Sequence, residues 1–493
     1  MTSPVSVPAP AGHNLSPSDP DNPQNWPKWK KVYASAVATA FTFSVGYGLT
    51  AYTAGLTGVM KEFNVSMTTS ILGLSLPLFG AFFAPIYTPH LSERFGRGPV
   101  YFCSLPLFAL FILGSSLARN FSTLAVCRLL AGFFGAPSLV LIEGTYADVW
   151  AAQTTVTYYA FLTLASFIGT GVGPIVGGFV VAATNWRWLQ WTTLMIALAA
   201  FLFGIGMPET YPREIARARA RRAGVPHRLA PAQSGTTISA MARITIVHPL
   251  KMIFTDPITI LTTLYLGFNF GVLFSFFISI PVVLELTYEF TVQQVGITFN
   301  AAIAGSLLAA ATCIVVDQIT YRVFSKPSQL NGMTTPRIEY RLIPAIIGSI
   351  LLVISFFWVA NTASPKFQYS IPILATMVYV WGNMSVLVAF ISYLFDAYPP
   401  AGTLSALTAA ACFRIACAGV IPLVIIQMIM GLGGTWTYQT FGIISIAMTA
   451  IPIILFIFGE RLRASSSFGA KAMMMHMEQM QHMDPEGKTM EHR

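Results

Sequence analysis

Residues 169–178 read Gly169-Thr-Gly-Val-Gly173-Pro174-Ile-Val-Gly177-Gly178, with glycines three or four apart around one proline. Small residues at that spacing let helix backbones approach closely, and the proline removes a hydrogen bond where bending is needed. The stretch lies inside a run from 149 to 186 that holds no charged residue. A helix needs about 20 predominantly apolar residues to cross a hydrocarbon core. Comparable runs occupy 32–60, 63–92, 98–118, 188–208, 257–284, 290–316, 342–365 and 367–395. Segment 120–147 is equally apolar but carries Arg128 and Glu143. Stretch 397–459 holds only Arg414 and is too long for one span; it breaks at Gly431-Leu-Gly433-Gly434-Thr-Trp436. The expectation is an all-α membrane protein with twelve transmembrane helices, six on each side of a polar stretch at 209–256. β-Barrels need ~10-residue alternating strands, which these runs do not resemble.

Composition agrees. The 493 residues include only 28 Lys and Arg and 19 Asp and Glu, against an apolar share of 55%. About a quarter of a soluble protein is charged, so a water-exposed surface of this size cannot be built here. Collagen-like, disordered and disulfide-framework classes fail on the same numbers.

Charge position sets the expected orientation. With both termini on one side, that side receives 22 of the Lys and Arg residues. The other side receives four: Lys61, Arg119, Arg187 and Lys366. By the positive-inside rule both termini are expected in the cytoplasm. This places a cytoplasmic, disordered N-terminus at 1–31, one six-helix bundle at 32–208 and a basic linker at 209–256. A second bundle follows at 257–460, and a cytoplasmic Met/His-rich tail at 461–493. The linker, with Arg213, Arg217, Arg219, Arg221 and Arg222, is expected to start as an amphipathic helix on the inner leaflet.

The net charge of +9 is then explained by topology and is no sign of nucleic acid, since no RNP-like or zinc-finger spacing accompanies it. Residues 1–25 have no apolar core, so no cleaved signal peptide is expected. No G-x-x-x-x-G-K-[ST] occurs, so the chain is expected to lack its own ATP motor. The five cysteines lie in spans without CxxC spacing. Neither a cofactor nor a metal site is expected, and the chain does not read as an enzyme. The tail, Met473-Met-Met-His476-Met-Glu-Gln-Met480-Gln-His482-Met483, has ligand types suited to Cu(I), but reads first as a disordered or membrane-skimming end.

Two further motifs carry function. Leu91-Ser-Glu93-Arg94-Phe-Gly96-Arg97, between spans 2 and 3, reads as a charge latch against the neighbouring half, with a weak echo from Asp317 to Arg322 after span 8. Arg128-Leu-Leu-Ala-Gly132-Phe-Phe-Gly135 places a cation inside span 4. It either tunes a nearby carboxylate or the substrate path, or snorkels to the outer interface. With these three motifs in order, the chain resembles the fungal drug:proton antiporter family with twelve spans, within the major facilitator superfamily. That group includes polyamine, fluconazole and mycotoxin exporters. The likeness runs from Asp21-Asn-Pro-Gln-Asn-Trp26 to Phe468-Gly469. It includes Pro208-Glu-Thr-Tyr211, Glu339-Tyr-Arg-Leu342, Asp396-Ala-Tyr-Pro399 and Ser405-Ala-Leu-x-Ala-Ala-x-x-x-Arg414. Two departures stand out: Gly98 replaces an expected basic residue, and Glu143 an expected small one.

The resemblance implies proton-coupled efflux of small organic molecules by alternating access, from a monomer in the lipid bilayer. The plasma membrane is the expected site, with the vacuolar membrane as the alternative. Proton exchange needs carboxylates or histidines. Glu143, Asp148, Asp317 and Asp396 qualify, all near the cytoplasmic side. Arg128 and Arg414 are the intramembrane cations, and Arg414 either binds an anionic group or compensates a carboxylate. Glu143 is either a proton site or a solvated helix-end acid. Tyr158, Tyr265, Asn269, Phe270, Tyr379 and Asn383 are expected to line the substrate cavity, as aromatics and sparse amides suit amphipathic molecules. Two arginines and peripheral acids favour neutral or anionic cargo over polycations. Alternatives are a polyamine or organic-anion carrier, importing or equilibrative, and a sensor that does not transport.

Overall fold

The structure is a computed structural model that describes residues 19–150, 155–222, 246–324, 337–398 and 400–465. The Met/His-rich tail and the linker between 223 and 245 lie outside the described residues. The described chain is helical. In the first half, α1 is Lys28–Thr50, α2 Leu56–Phe63, α3 Met67–Ala81, α4 Ala84–Phe95, α5 Arg97–Ser116 and α6 Phe121–Gly135. α7 (Pro137–Val149), α8 (Thr155–Ala183) and α9 (Arg187–Gly204) complete it. Two short helices follow, α10 (Pro212–Arg222) and α11 (His248–Thr255). The second half holds α12 (Pro257–Tyr288), α13 (Val292–Thr298), α14 (Asn300–Phe324), α15 (Ile343–Thr362), α16 (Ser370–Ala397), α17 (Pro400–Leu432) and α18 (Gly434–Ser465).

Local chemistry explains the ends. The Asp256 carboxylate accepts from Thr259 N at 2.8 Å and starts α12, and Asn120 does the same for α6 through Thr123 N at 2.8 Å. Such caps satisfy donors that have no partner inside the helix. Gly433, at φ +84°, makes the reversal between α17 and α18 where the glycine cluster foretold a break. Gly96, at φ +90°, makes the turn between α4 and α5.

Among the described residues, ten helices are long and apolar enough to cross a membrane, and the pair α3–α4, bent by 43°, makes eleven. This falls one short of the expected twelve. The shortfall is at α9, whose first turn, Arg187-Trp-Leu-Gln-Trp191, is too polar to count.

The packing repeats itself. α1 packs on α8 as α12 packs on α17, α3 on α6 as α14 on α16, and α5 on α9 as α15 on α18. Between the halves, α8 meets α14 while α3 meets α17. Exchanging the halves maps every one of these contacts onto another, the sign of two repeats about a pseudo-two-fold axis. α9 thus occupies the place that α18 holds in the other half.

Candidate functional site

At the end where the basic residues collect, the loop motif forms a cluster within one half. Glu209 caps α5: its two carboxylate oxygens accept from Arg97 N at 2.9 Å and Gly98 N at 3.0 Å. A Cβ at Gly98 would approach that carboxylate to 3.2 Å, so the expected basic residue gives way to one that leaves room for the cap. The Arg97 side chain crosses Gly144, where a Cβ would overlap its guanidinium, and pairs with Asp148. Arg217 holds Glu93 by its backbone oxygen at 3.1 Å, and Arg94 is exposed against Phe95. The second half repeats the pairing: Arg341 pairs with Asp317 and with Asp396, the latter at 2.8 Å. Arg97 to Asp148 spans 51 positions and Arg341 to Asp396 spans 55, the same relation in each repeat. Among the described residues, the expected latch makes no ion pair between the halves in this structure. The ion pairs that do form tie helices within each half, the Glu93 side chain takes no ion pair among the described residues, and Arg322 is exposed at the end of α14.

α10 does form, and some of its arginines are engaged by protein while Arg213 and Arg222 are exposed. Arg219 binds Asp19 at 2.7 Å and 2.9 Å and also Asp21, clamping the segment before α1 onto the linker helix. Arg219 holds the Asp19 carboxyl below its ordinary range.

Arg128 is 1% exposed. It donates to Gly73 O at 2.8 Å and Gly48 O at 2.9 Å, and its guanidinium lies over Tyr52 at 4.4 Å. The expectation that it snorkels is corrected by this burial. Among the described residues no carboxylate pairs with it; it ties α1, α3 and α6 through backbone carbonyls.

Glu143 and Arg414 behave differently. Glu143 lies on α7 and Arg414 on α17, in opposite halves, and each is the principal charge acting on the other. They are not in direct ion contact. Arg414 rests 5.1 Å from the Phe270 ring centroid, and its buried Nε has no hydrogen-bond partner among the described residues. Tyr159, on α8, is buried within reach of the Glu143 and Asp396 charges and packs on Phe395 at 5.1 Å. A carboxylate and a guanidinium from different halves, both half-buried, thus lie close enough for each charge to act on the other. Sequence reasoning named both residues but not their pairing; the two repeats' symmetry would have been needed to see it.

Most expected cavity residues lie elsewhere. Asn269 and Asn383 clasp α12 to α16: Asn383 Nδ2 donates to Asn269 Oδ1 at 2.8 Å, and Asn269 Nδ2 to Asn383 O at 3.0 Å. Tyr379 stacks on Phe276 at 4.0 Å, and Tyr265 donates to Ser349 Oγ at 2.7 Å. All four are buried in the second half's own core. Tyr158 stacks on Trp150 at 5.2 Å, at the basic end. Of the six, only Phe270 touches the inter-half pair.

The glycine motif does bring backbones together. A Cβ at Gly177 would lie 3.0 Å from Ala51 O, and one at Gly178 2.6 Å from Val292 O. α8 therefore packs on both α1 and α13, and Gly296 on α13 completes the contact from the other half: its Cβ would lie 2.8 Å from Pro174 O. Beside this seam a cleft of about 40 Å³ opens at the end opposite the basic cluster, lined by Thr53, Thr57, Pro174, Phe277, Glu285 and Gly296 among others.

Comparison with known proteins places this arrangement. Residues 36–420 match the Major Facilitator Superfamily. The chain belongs to the major facilitator superfamily. Among facilitator relatives, the citrinin biosynthesis cluster MFS transporter mrr1 of Monascus ruber is 30% identical over 466 residues, covering 92% of this chain and 91% of its own. Polyamine transporter 4 of Saccharomyces cerevisiae is 29% identical, covering 93% and 73%. Efflux pump FUBT of Fusarium oxysporum is 28% identical, covering 94% and 78%. The solved structure of the human organic anion transporter MFSD10 shares the facilitator fold at a TM-score of 0.59 and 16% identity, over 87% of this chain and all of that one. The chain is thus a multi-pass membrane transporter by family.

Proposed function

We propose that the chain is a proton-coupled exporter of small neutral organic molecules, such as a secondary metabolite or drug. The observation that carries the reading is that Glu143 and Arg414, half-buried in opposite halves and not in contact, are each the main charge acting on the other. In this reading α9 completes twelve spans, both termini are cytoplasmic, and the halves at 32–208 and 257–460 rock about the pair. The plasma membrane is the proposed location. Relatives named as a biosynthesis-cluster transporter and an efflux pump support export.

The sign of coupling follows from the pair. Ionised Glu143, steadied by Arg414, is a strong acceptor for a hydroxyl or amide N–H of a neutral cargo. A proton on Glu143 removes that acceptor, so proton and cargo exclude each other, which is antiport. An anionic cargo behaves oppositely. It competes with ionised Glu143 for Arg414 and binds better once Glu143 is protonated, which is co-transport. The unpartnered Arg414 Nε keeps that second reading, an organic-anion carrier, in view. A polycation would face Arg414 with a single acid opposite, which disfavours a polyamine cargo.

The test is flux in sealed vesicles of the purified protein with fluconazole, citrinin and spermidine as probes. Antiport predicts that neutral fluconazole accumulates against an imposed proton gradient. Citrinin moving down that gradient with protons would establish the anion reading instead. Flux of any probe that ignores the gradient would defeat proton coupling.

A further inference from the structure

The cleft beside the Gly178–Gly296 seam contains one charged residue, Glu285, one turn before the end of α12. Its carboxylate makes no hydrogen bond or ion pair among the described residues; partial burial is the sole influence on it. The walls facing it are Thr53, Ala54 and Thr57 from the first half's turn and α2, Met67 from α3, Pro174 from α8, and Val292, Val295 and Gly296 from α13. The charged residues of the packed elements do not line the cleft. Lys61 is exposed, and Glu62 is paired with Arg187. A space of about 40 Å³ holds a few waters and no organic molecule, since a water needs roughly 10–15 Å³ of such volume. The ligand that fits is a proton.

We propose that Glu285 is a proton-operated gate at the outer end of the transporter: its ionised carboxylate keeps the cleft beside the packed seam wet and open, and its protonation lets that cleft close. The physical basis is that a carboxylate charge confined in an apolar cleft without a countercharge is costly to dehydrate, and a neutral carboxyl is far less so. The contact of Gly178, Gly296 and the Pro174 carbonyl is already made beside the cleft, so what remains to close at this end is the space around Glu285 itself. External acid therefore shifts the outer end toward closed. In an exporter this is the step that returns the emptied carrier to the cytoplasm, so the inference rests on the orientation and antiport proposed above.

The test reads gate opening without any cargo. Val282, which lines the cleft, is replaced by cysteine in a background whose five native cysteines are serine or alanine. Labelling by a membrane-impermeant maleimide is divided by that of a Lys366→Cys reference, which removes the thiol's own pH dependence. The ratio should fall as external pH is lowered, by up to about tenfold per unit for a one-proton linkage. Glu285→Gln should give a low ratio at every pH, and Glu285→Asp should keep the pH response. A pH-independent ratio in the parent, or an unchanged response in Glu285→Gln, overturns the gate. If the ratio responds to pH while flux ignores the proton gradient, the gate stands and the antiport reading falls.

Discussion

Adding a methyl group at Gly296 tests whether the α8–α13 seam is the contact that closes one end. A Cβ there would lie 2.8 Å from Pro174 O, 3.2 Å from Ile175 O and 3.5 Å from Gly178 Cα. The first two contacts are with backbone, which cannot rotate aside. Overpacking of this kind costs about 1–3 kcal/mol, charged only against the conformation in which the seam is shut. The ratio of closed to open at that end should fall about 5- to 150-fold. Spin labels at exposed Lys61 and Glu289, one in each half, would report it as a shift of the distance distribution toward longer values. Gly178→Ala, whose Cβ would meet Val292 O at 2.6 Å, should act alike. Gly431→Ala, with nothing within 4 Å, should not. Distance distributions for Gly296→Ala that superimpose on the parent's would refute the assignment of the seam as a closing contact.

Three other outcomes follow from named contacts. Asn383→Leu removes the Nδ2 half of the clasp and leaves Asn269 Oδ1 without its donor, so thermal unfolding in detergent should show a loss of about 1–3 kcal/mol with cargo affinity retained. Collapsed affinity at unchanged stability would return Asn383 to the cavity. The Asp19–Arg219 clamp depends on ionised Asp19, whose carboxyl lies below its ordinary value of 3.8. A depressed carboxyl contributes fully above that value and is lost as pH falls through its lower folded one. Protection of the N-terminal segment from protease should hold from pH 8 down to about 5 and be lost in Asp19→Asn or in high salt. Glu209→Ala uncaps α5 and should cost about 0.5–2 kcal/mol of stability, measured by the same melts; an unchanged melt would show that Glu209 holds nothing.

Much of the architecture was legible because lipid makes charge spacing decisive. A charge-free run of twenty residues has few alternatives, and the Gly431–Gly434 cluster could only be a reversal, as the positive φ of Gly433 bears out. The site was less legible for a related reason. α12 and α16 are apolar on nearly every side, so periodicity gives no face to assign. Asn269, Tyr265 and Tyr379 therefore read as cavity residues when they bind their own half. Pairings such as Arg97 with Asp148 join residues 51 positions apart and depend on which helix ends meet. Glu285 escaped notice because it stands where an apolar run ends, a common place for a solvated acid. Its meaning comes from the cleft alone.

Proton-coupled export requires Glu143 to exchange a proton for cargo opposite Arg414. The direct measurement is proton movement when the purified transporter, in weakly buffered detergent solution with a pH indicator, receives the probe that the vesicle panel shows to be carried. Wild type should release protons on binding, and Glu143→Gln should bind without releasing them. Equal release from Glu143→Gln, or proton uptake by the wild type, would contradict it.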